Sequence, residues 1–230
     1  MTANVRAFLG GSGEGVNVVQ PFTTVPGDRV LVAIVGSDRA KTWSNIKFNG
    51  VSLTSRVGYS TFVELFDLDN PGIGAYNFTA TVSGQYFWYI VMALKGTLLA
   101  SPRGNSGNDS GAGTSCTHNV PTAAAHLVID GMSAMGGVGA NNPGAGQTEM
   151  YDAAFGLSSW ELATGATTTM SWSWTTSRTF YHVSQAYKSS PSGQIIMVMA
   201  ERWKGLLRDL KAGLVPPDVL RRRYRDLVTI

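Results

Sequence analysis

His118, His126 and His182, the single Cys116 and a few scattered carboxylates are the residues of this chain most able to carry out chemistry. Their spacing argues against most of it. The histidines lack the short i, i+3 or i, i+4 intervals of a metal-binding helix and fall in or beside strand-like segments, where a hydrogen-bonded or surface imidazole is the expected state. No metal and no cofactor is expected. One cysteine allows no intrachain disulfide. Glu64, Glu149 and Glu161 are the carboxylates that a glycosidase pair would need, but nothing in the sequence brings any two together, so solvated strand residues are the simpler reading. Asp67-Leu68-Asp69-Asn70-Pro71-Gly72 begins like a calcium loop. It has proline at the fifth position and Phe78 at the twelfth, where ligands are required, which excludes an EF-hand and leaves only an irregular calcium turn.

Glycine-rich stretches fail similar tests. Gly10–Gly15 has the spacing of neither a dinucleotide fingerprint nor a phosphate loop, and no helix follows it. Gly104-Asn105-Ser106-Gly107-Asn108 lacks the final glycine of a nucleophile elbow. No catalytic motif remains, and the chain is not expected to be an enzyme.

The elements that would position these residues are strands. Charged residues make up only 14% of the 230 residues, and there are 27 glycines, as in an all-β protein with many tight turns. Asp28–Val35 is a nearly continuous apolar run, the pattern of a strand buried on both faces. Asn49-Gly50 between alternating apolar residues predicts a two-residue hairpin, because a type I′ turn needs positive φ twice. Phe62–Leu68, Ala75–Val82 and Tyr86–Leu94 follow as strands. Gly96–Gly113 reads as a surface loop between two halves of a sandwich. Ser115–Val120, His126–Ala134, Gln147–Ala153, Ser159–Ala163, Thr168–Thr175 and Phe180–Tyr187 complete the set. About a dozen strands without a helix before residue 193 predict two packed antiparallel sheets over residues 1–190, jelly-roll-like ahead of immunoglobulin-like.

Residues 191–230 read differently. Ile196, Met199, Trp203, Leu206 and Leu210 step by three and four, and Leu220, Tyr224 and Leu227 continue after the helix-start signature Pro216-Pro217-Asp218. The expectation is a C-terminal α-helical hairpin. Its assembly interface would be Met199, Trp203, Leu206, Leu210, Leu220, Tyr224 and Leu227. From Gln194 to Ile230 there are eight basic and four acidic residues, a local charge of +4, against +3 for the whole chain, so the rest carries −1. A near-neutral body argues against a broad nucleic-acid face. Arg221, Arg222, Arg223 and Arg225 form a basic cluster, either a solvated helix face or a contact for an acidic partner. No stretch is long and apolar enough to span a membrane. The first residues lack a basic segment followed by an apolar run, so no secretory leader is expected.

Two stretches carry a resemblance. Asn45–Gly84 (NIKFNGVSLTSRVGYSTFVELFDLDNPGIGAYNFTATVSG) joins an "FNGVSLT" hairpin, an acidic Asn-Pro turn and a Thr-rich strand. The second half has Ala145–Thr148, the Trp-rich Ser171–Trp174 and His182–Lys188. Residues 28–188 thus resemble β-sandwich proteins of tailed-bacteriophage structural gene clusters, which also occur in bacterial surface proteins. The resemblance implies a virion component such as a tail fibre, tail-tip protein or capsid decoration, made in the host cytoplasm and assembled with other virion proteins. It implies a homo-oligomer, a trimer among the arrangements. A second reading is a jelly-roll module that binds host-surface glycans through Tyr59, Trp88 or Trp160.

Overall fold

Residue alternation explains the layers. In the structure, a computed structural model that describes residues 2–59, 61–84, 86–98 and 100–190, the central strand β3 (Asp28–Ser37) is buried on both sides. Leu31, Ala33 and Val35 face one core, and Val30, Val32 and Ile34 face another. Because successive side chains of a strand point to opposite faces, the apolar run RVLVAIV belongs to a middle layer.

Three antiparallel sheets build the described part, and no helix occurs among the described residues. The first has the order β1 (Asn4–Gly13), β9 (Phe87–Lys95), β3, β7 (Val63–Asp69), β6 (Thr54–Tyr59). The second has the order β2 (Asn17–Thr24), β8 (Gly74–Val82), β4 (Trp43–Phe48), β5 (Val51–Ser52). Phe48 and Phe78 from the second sheet meet Leu31, Phe66 and Val91 from the first in one apolar core. This is a sandwich with jelly-roll strand order. The β4–β5 turn has φ of 50° at Asn49 and 75° at Gly50, the conformation that the Asn-Gly pair predicts.

The third sheet repeats that order along one ribbon. Its path is β10 (Arg103–Pro121), β15 (Thr167–Tyr187), β11 (Leu127–Ala134), β14 (Gly156–Leu162), β13 (Thr148–Ala153), with β12 (Asn141–Pro143) also paired to β15. The β10–β15 pairing changes register between Gly113 and Ser115, from Gly113↔Arg178 to Ser115↔Ser173. Beyond that step the ribbon folds back over its own sheet, so Val120 and Met170 from the distal half pack on Val128 and Ala186 from the proximal half. A second sandwich results. The proximal halves of β10 and β15 with β11, β14 and β13 correspond to β1, β9, β3, β7 and β6. The distal halves with β12 correspond to β2, β8 and β4.

The sequence pattern anticipates one two-sheet sandwich, whereas three sheets enclose two. The two pack together through the far face of the first sheet: Val32, Ile34, Trp88 and Ile90 meet Leu127, Ile129 and Val183. Gly96–Gly113, expected to be a loop, contributes the strand β10 from Arg103 onward. Gly107 leaves room for the folded-back half. A Cβ on Gly107 would lie 2.8 Å from the His118 ring. Thr2–Ser190 forms one compact unit. The expected helical hairpin at 191–230 lies outside the described residues. Among those described, no helix is long and apolar enough to cross a membrane.

Candidate functional site

The repeated topology allows the two cores to be compared position by position, and they differ in chemistry. In the first sandwich Ala33 lies between Phe66 and Val91. At the corresponding place in the second, Asp130 lies between Ser159 and Ser184. Where the first has Tyr89 opposite Val35, the second has His182 opposite Met132. A carboxylate inside an apolar strand is expensive unless its charge is met by hydrogen bonds.

Here it is met fully. Asp130 has no exposed surface. One of its oxygens accepts the Ser159 backbone N–H and hydroxyl, each at 2.7 Å. The other accepts Trp172 Nε1–H at 2.9 Å and is 2.8 Å from His182 Nε2. His182 Nδ1 is 3.4 Å from Cys116 Sγ. His118, two residues along β10 from Cys116, places its Nε2 2.6 Å from the Ser184 hydroxyl, and its ring lies edge-on to His182 with centroids 4.3 Å apart. On the other side, Gln147 Nε2 donates to the Ser159 hydroxyl at 2.6 Å and Gln147 Oε1 accepts the Ser171 N–H at 2.8 Å.

The two imidazoles are driven apart. Burial alone would push His182 down, but Cys116 and Asp130 outweigh it and raise its pKa to about 10. Burial, and then the neighbouring His182 charge, lower His118 to about 4. His182 is therefore charged at neutral pH and His118 is not.

Thiol, imidazole and carboxylate stand in the order of nucleophile, base and orienting group. Access distinguishes this array from a catalytic one. Cys116 is 4% exposed and packs with Met132, Leu157 and Trp172 between the sheets. A depression of about 220 Å³ does run beside Cys116 and Trp172, lined by Ser115, Thr117, Asn142, Gly144, Ser171 and Ser173. Those serines and threonines alternate with Cys116 and Trp172 along their strands, so the depression opens on the outer face and the sulfur points inward. What the array does is bind two sheets: Cys116, His118 and Trp172 come from the outer, folded-back sheet, and Asp130, Ser159, His182 and Ser184 from the inner.

Comparison of the chain with protein-family models, with curated proteins and with solved structures finds no match.

Other residues singled out by type fall elsewhere. Asp67 cannot serve a calcium turn, because its carboxylate is fully buried and accepts Arg56 Nε at 2.6 Å, Arg103 Nε at 2.8 Å and Nη2 at 2.6 Å, and the Tyr187 hydroxyl at 3.2 Å. Among the described residues no three His, Cys, Asp or Glu side chains are grouped to hold a metal ion. Glu64, in the first sandwich, is bonded to Ser55. Glu149 and Glu161 are on adjacent strands of the second, opposite Ser159 and Val128. Burial raises both carboxyls, helped by Asp152 at Glu149 and Asp130 at Glu161. Trp88 is no sugar platform. It is wholly buried between the sandwiches, stacked on Tyr151 at 5.6 Å, and its Nε1–H donates to Ser133 at 2.8 Å. Tyr59 and Trp160 are half-buried. The proposed assembly residues Met199, Trp203, Leu206, Leu210, Leu220, Tyr224 and Leu227, and the basic Arg221, Arg222, Arg223 and Arg225, lie outside the described residues.

The buried cluster escapes the sequence reading because its members are far apart: Cys116 and His182 are 66 residues from each other, and Asp130 and His182 are 52. The usable signal is local. Asp130 interrupts LVIDGM, a run otherwise suited to burial on both faces.

Proposed function

We propose that this chain is a non-enzymatic structural component of a tailed-phage virion, displayed as a tail fibre, tail-tip protein or capsid decoration. The observation that carries the reading is the doubled jelly-roll body, taken with the resemblance of residues 28–188. Its strongest polar groups face inward. Arg103 and Tyr187 of the second sandwich grip Asp67 of the first, and Asp130 is enclosed. Outward, the folded-back sheet shows Ser115, Thr117, Asn119, Thr169 and Ser173, uncharged side chains suited to contact with other subunits or with solvent. Residues 191–230 supply attachment and self-association through the apolar positions named above, and the four arginines contact an acidic partner.

The test is truncation after Ser190. The shortened protein is expected to fold and to fail to join particles or oligomerise, read by mass measurement of the purified protein and by incorporation into virions. Normal incorporation of the truncated chain refutes the reading.

One observation favours a carbohydrate-binding variant of this role. A depression of about 440 Å³ at the Asn49-Gly50 turn is lined by Asn49, Asn77 and Thr79, amide and hydroxyl groups able to pair with sugar hydroxyls. Binding on a glycan array that is lost in Asn77→Ala would support it.

A further inference from the structure

We infer that the Cys116–His118–His182–Asp130 cluster is an acid-sensitive bolt: protonation of His118 releases the folded-back outer sheet of the second sandwich while the first sandwich stays closed. The geometry supplies the mechanism. Cys116 and His118 stand on the distal half of β10, and their partners His182 and Ser184 stand on the proximal half of β15. The two imidazoles face each other at 4.3 Å, so a second proton would set two cations together where His182 is wholly buried and His118 half-buried. His118 Nδ1 is buried and has no hydrogen-bond partner, so a proton placed there would find no acceptor.

The charged groups around the pair differ by element. On β15, His182 is already a cation. On β11, Asp130 compensates that charge and is 2.8 Å from it. On β10, Cys116 touches His182, and the half-buried Asp109 is directly opposite His182 but bonds its own neighbour Ser110. On β14, Glu161 faces Asp130 with its carboxyl raised. It takes up a proton more readily in the closed form and therefore opposes opening. His118 is the group that drives it. Its closed-state pKa is about 4, against 6.5 when free. The open form thus binds a proton that the closed form refuses, and opening is favoured as pH falls from 6.5 towards 4, by at most about 300-fold in the equilibrium. The first sandwich has no paired imidazoles: Ala33 and Tyr89 stand where the second has Asp130 and His182, and the Tyr89 hydroxyl donates to Gln20.

Cys116, the chain's only cysteine, reports the event. The full chain is mixed with a pyridyl disulfide, which accepts a thiol at acid pH: the Cys116 sulfur forms the new S–S bond and thiopyridone leaves with the proton. Expected is negligible labelling at pH 7, labelling that rises steeply between pH 6 and 4, and a shift of that rise by one pH unit or more to lower pH in His118→Gln. Hydrogen exchange on the unsubstituted protein is the second measurement. Acid should remove protection from 115–121 and 167–174 and leave β3 and β9 protected. Labelling that is flat with pH, an unshifted rise in the variant, or simultaneous loss of protection in both sandwiches overturns the inference.

Discussion

Arg103 should be the most costly basic side chain to remove at the junction of the two sandwiches. Its guanidinium approaches Asp67 through Nε at 2.8 Å and Nη2 at 2.6 Å, and Asp69 through Nη1 at 2.9 Å and Nη2 at 2.8 Å. Asp67 has no exposed side-chain surface, Arg103 is 21% exposed and Asp69 43%. Stripping every partner from a buried carboxylate costs about 3–5 kcal/mol. In Arg103→Ala the carboxylate keeps Arg56 and Tyr187, so the loss there is smaller, about 2 kcal/mol. The exposed Asp69 pair adds about 0.5 kcal/mol at most. The expected total is about 2 to 2.5 kcal/mol, read as a shift of the denaturant midpoint in equilibrium unfolding followed by tryptophan fluorescence.

Removing the remaining cation exposes the logic. Arg56→Ala alone should cost about 1–2 kcal/mol, since Arg103 still holds both oxygens. The double variant leaves Asp67 with only the Tyr187 hydroxyl, and its loss should exceed the sum of the two singles by about 1 kcal/mol or more, the mark of a shared partner. Additive losses, or a loss below about 0.5 kcal/mol for Arg103→Ala, would refute Asp67 as the shared partner that couples the two arginines.

Gly156→Ala should be severely destabilising, by about 3 kcal/mol or more, because an added Cβ would lie 2.3 Å from the enclosed Trp88 ring. Chemical denaturation checks it against Gly165→Ala, where the space is open. Asp130→Asn should cost about 3 kcal/mol, since an amide cannot accept at both ends from Ser159, Trp172 and His182. It should also change the alkaline limb of stability. With His182 raised to about 10, its contribution is complete below pH 6.5 and is lost as pH rises through 10. In Asp130→Asn that loss should begin at lower pH, as seen in a pH series of melting temperatures.

What the sequence reveals depends on how far a residue's neighbours lie along the chain. The β3 run and the Asn49-Gly50 turn are local patterns, and both are read correctly. The strand over 103–113 is missed because its small side chains carry no apolar alternation. At Gly107 glycine is favoured by His118 from the half of the ribbon that folds over it, a contact made only after folding. Trp88 is misread for a related reason. In a strand between two cores both faces are buried, so alternation cannot separate an inward ring from an outward one. The polar cluster is assembled from segments more than fifty residues apart, and only Asp130 breaks its local pattern. That break is the informative one. Two copies of one topology share strand order and sheet pairing, so the apolar core of the first shows that the fold itself requires no buried carboxylate or imidazole. Ala33, Phe66 and Val91 do in the first what Asp130, Ser159 and Ser184 do in the second. A sequence that departs from the simpler solution at three neighbouring positions meets the buried charge with Trp172 and His182. In a chain of repeated architecture, the copy with the costlier core is the place to look for regulation.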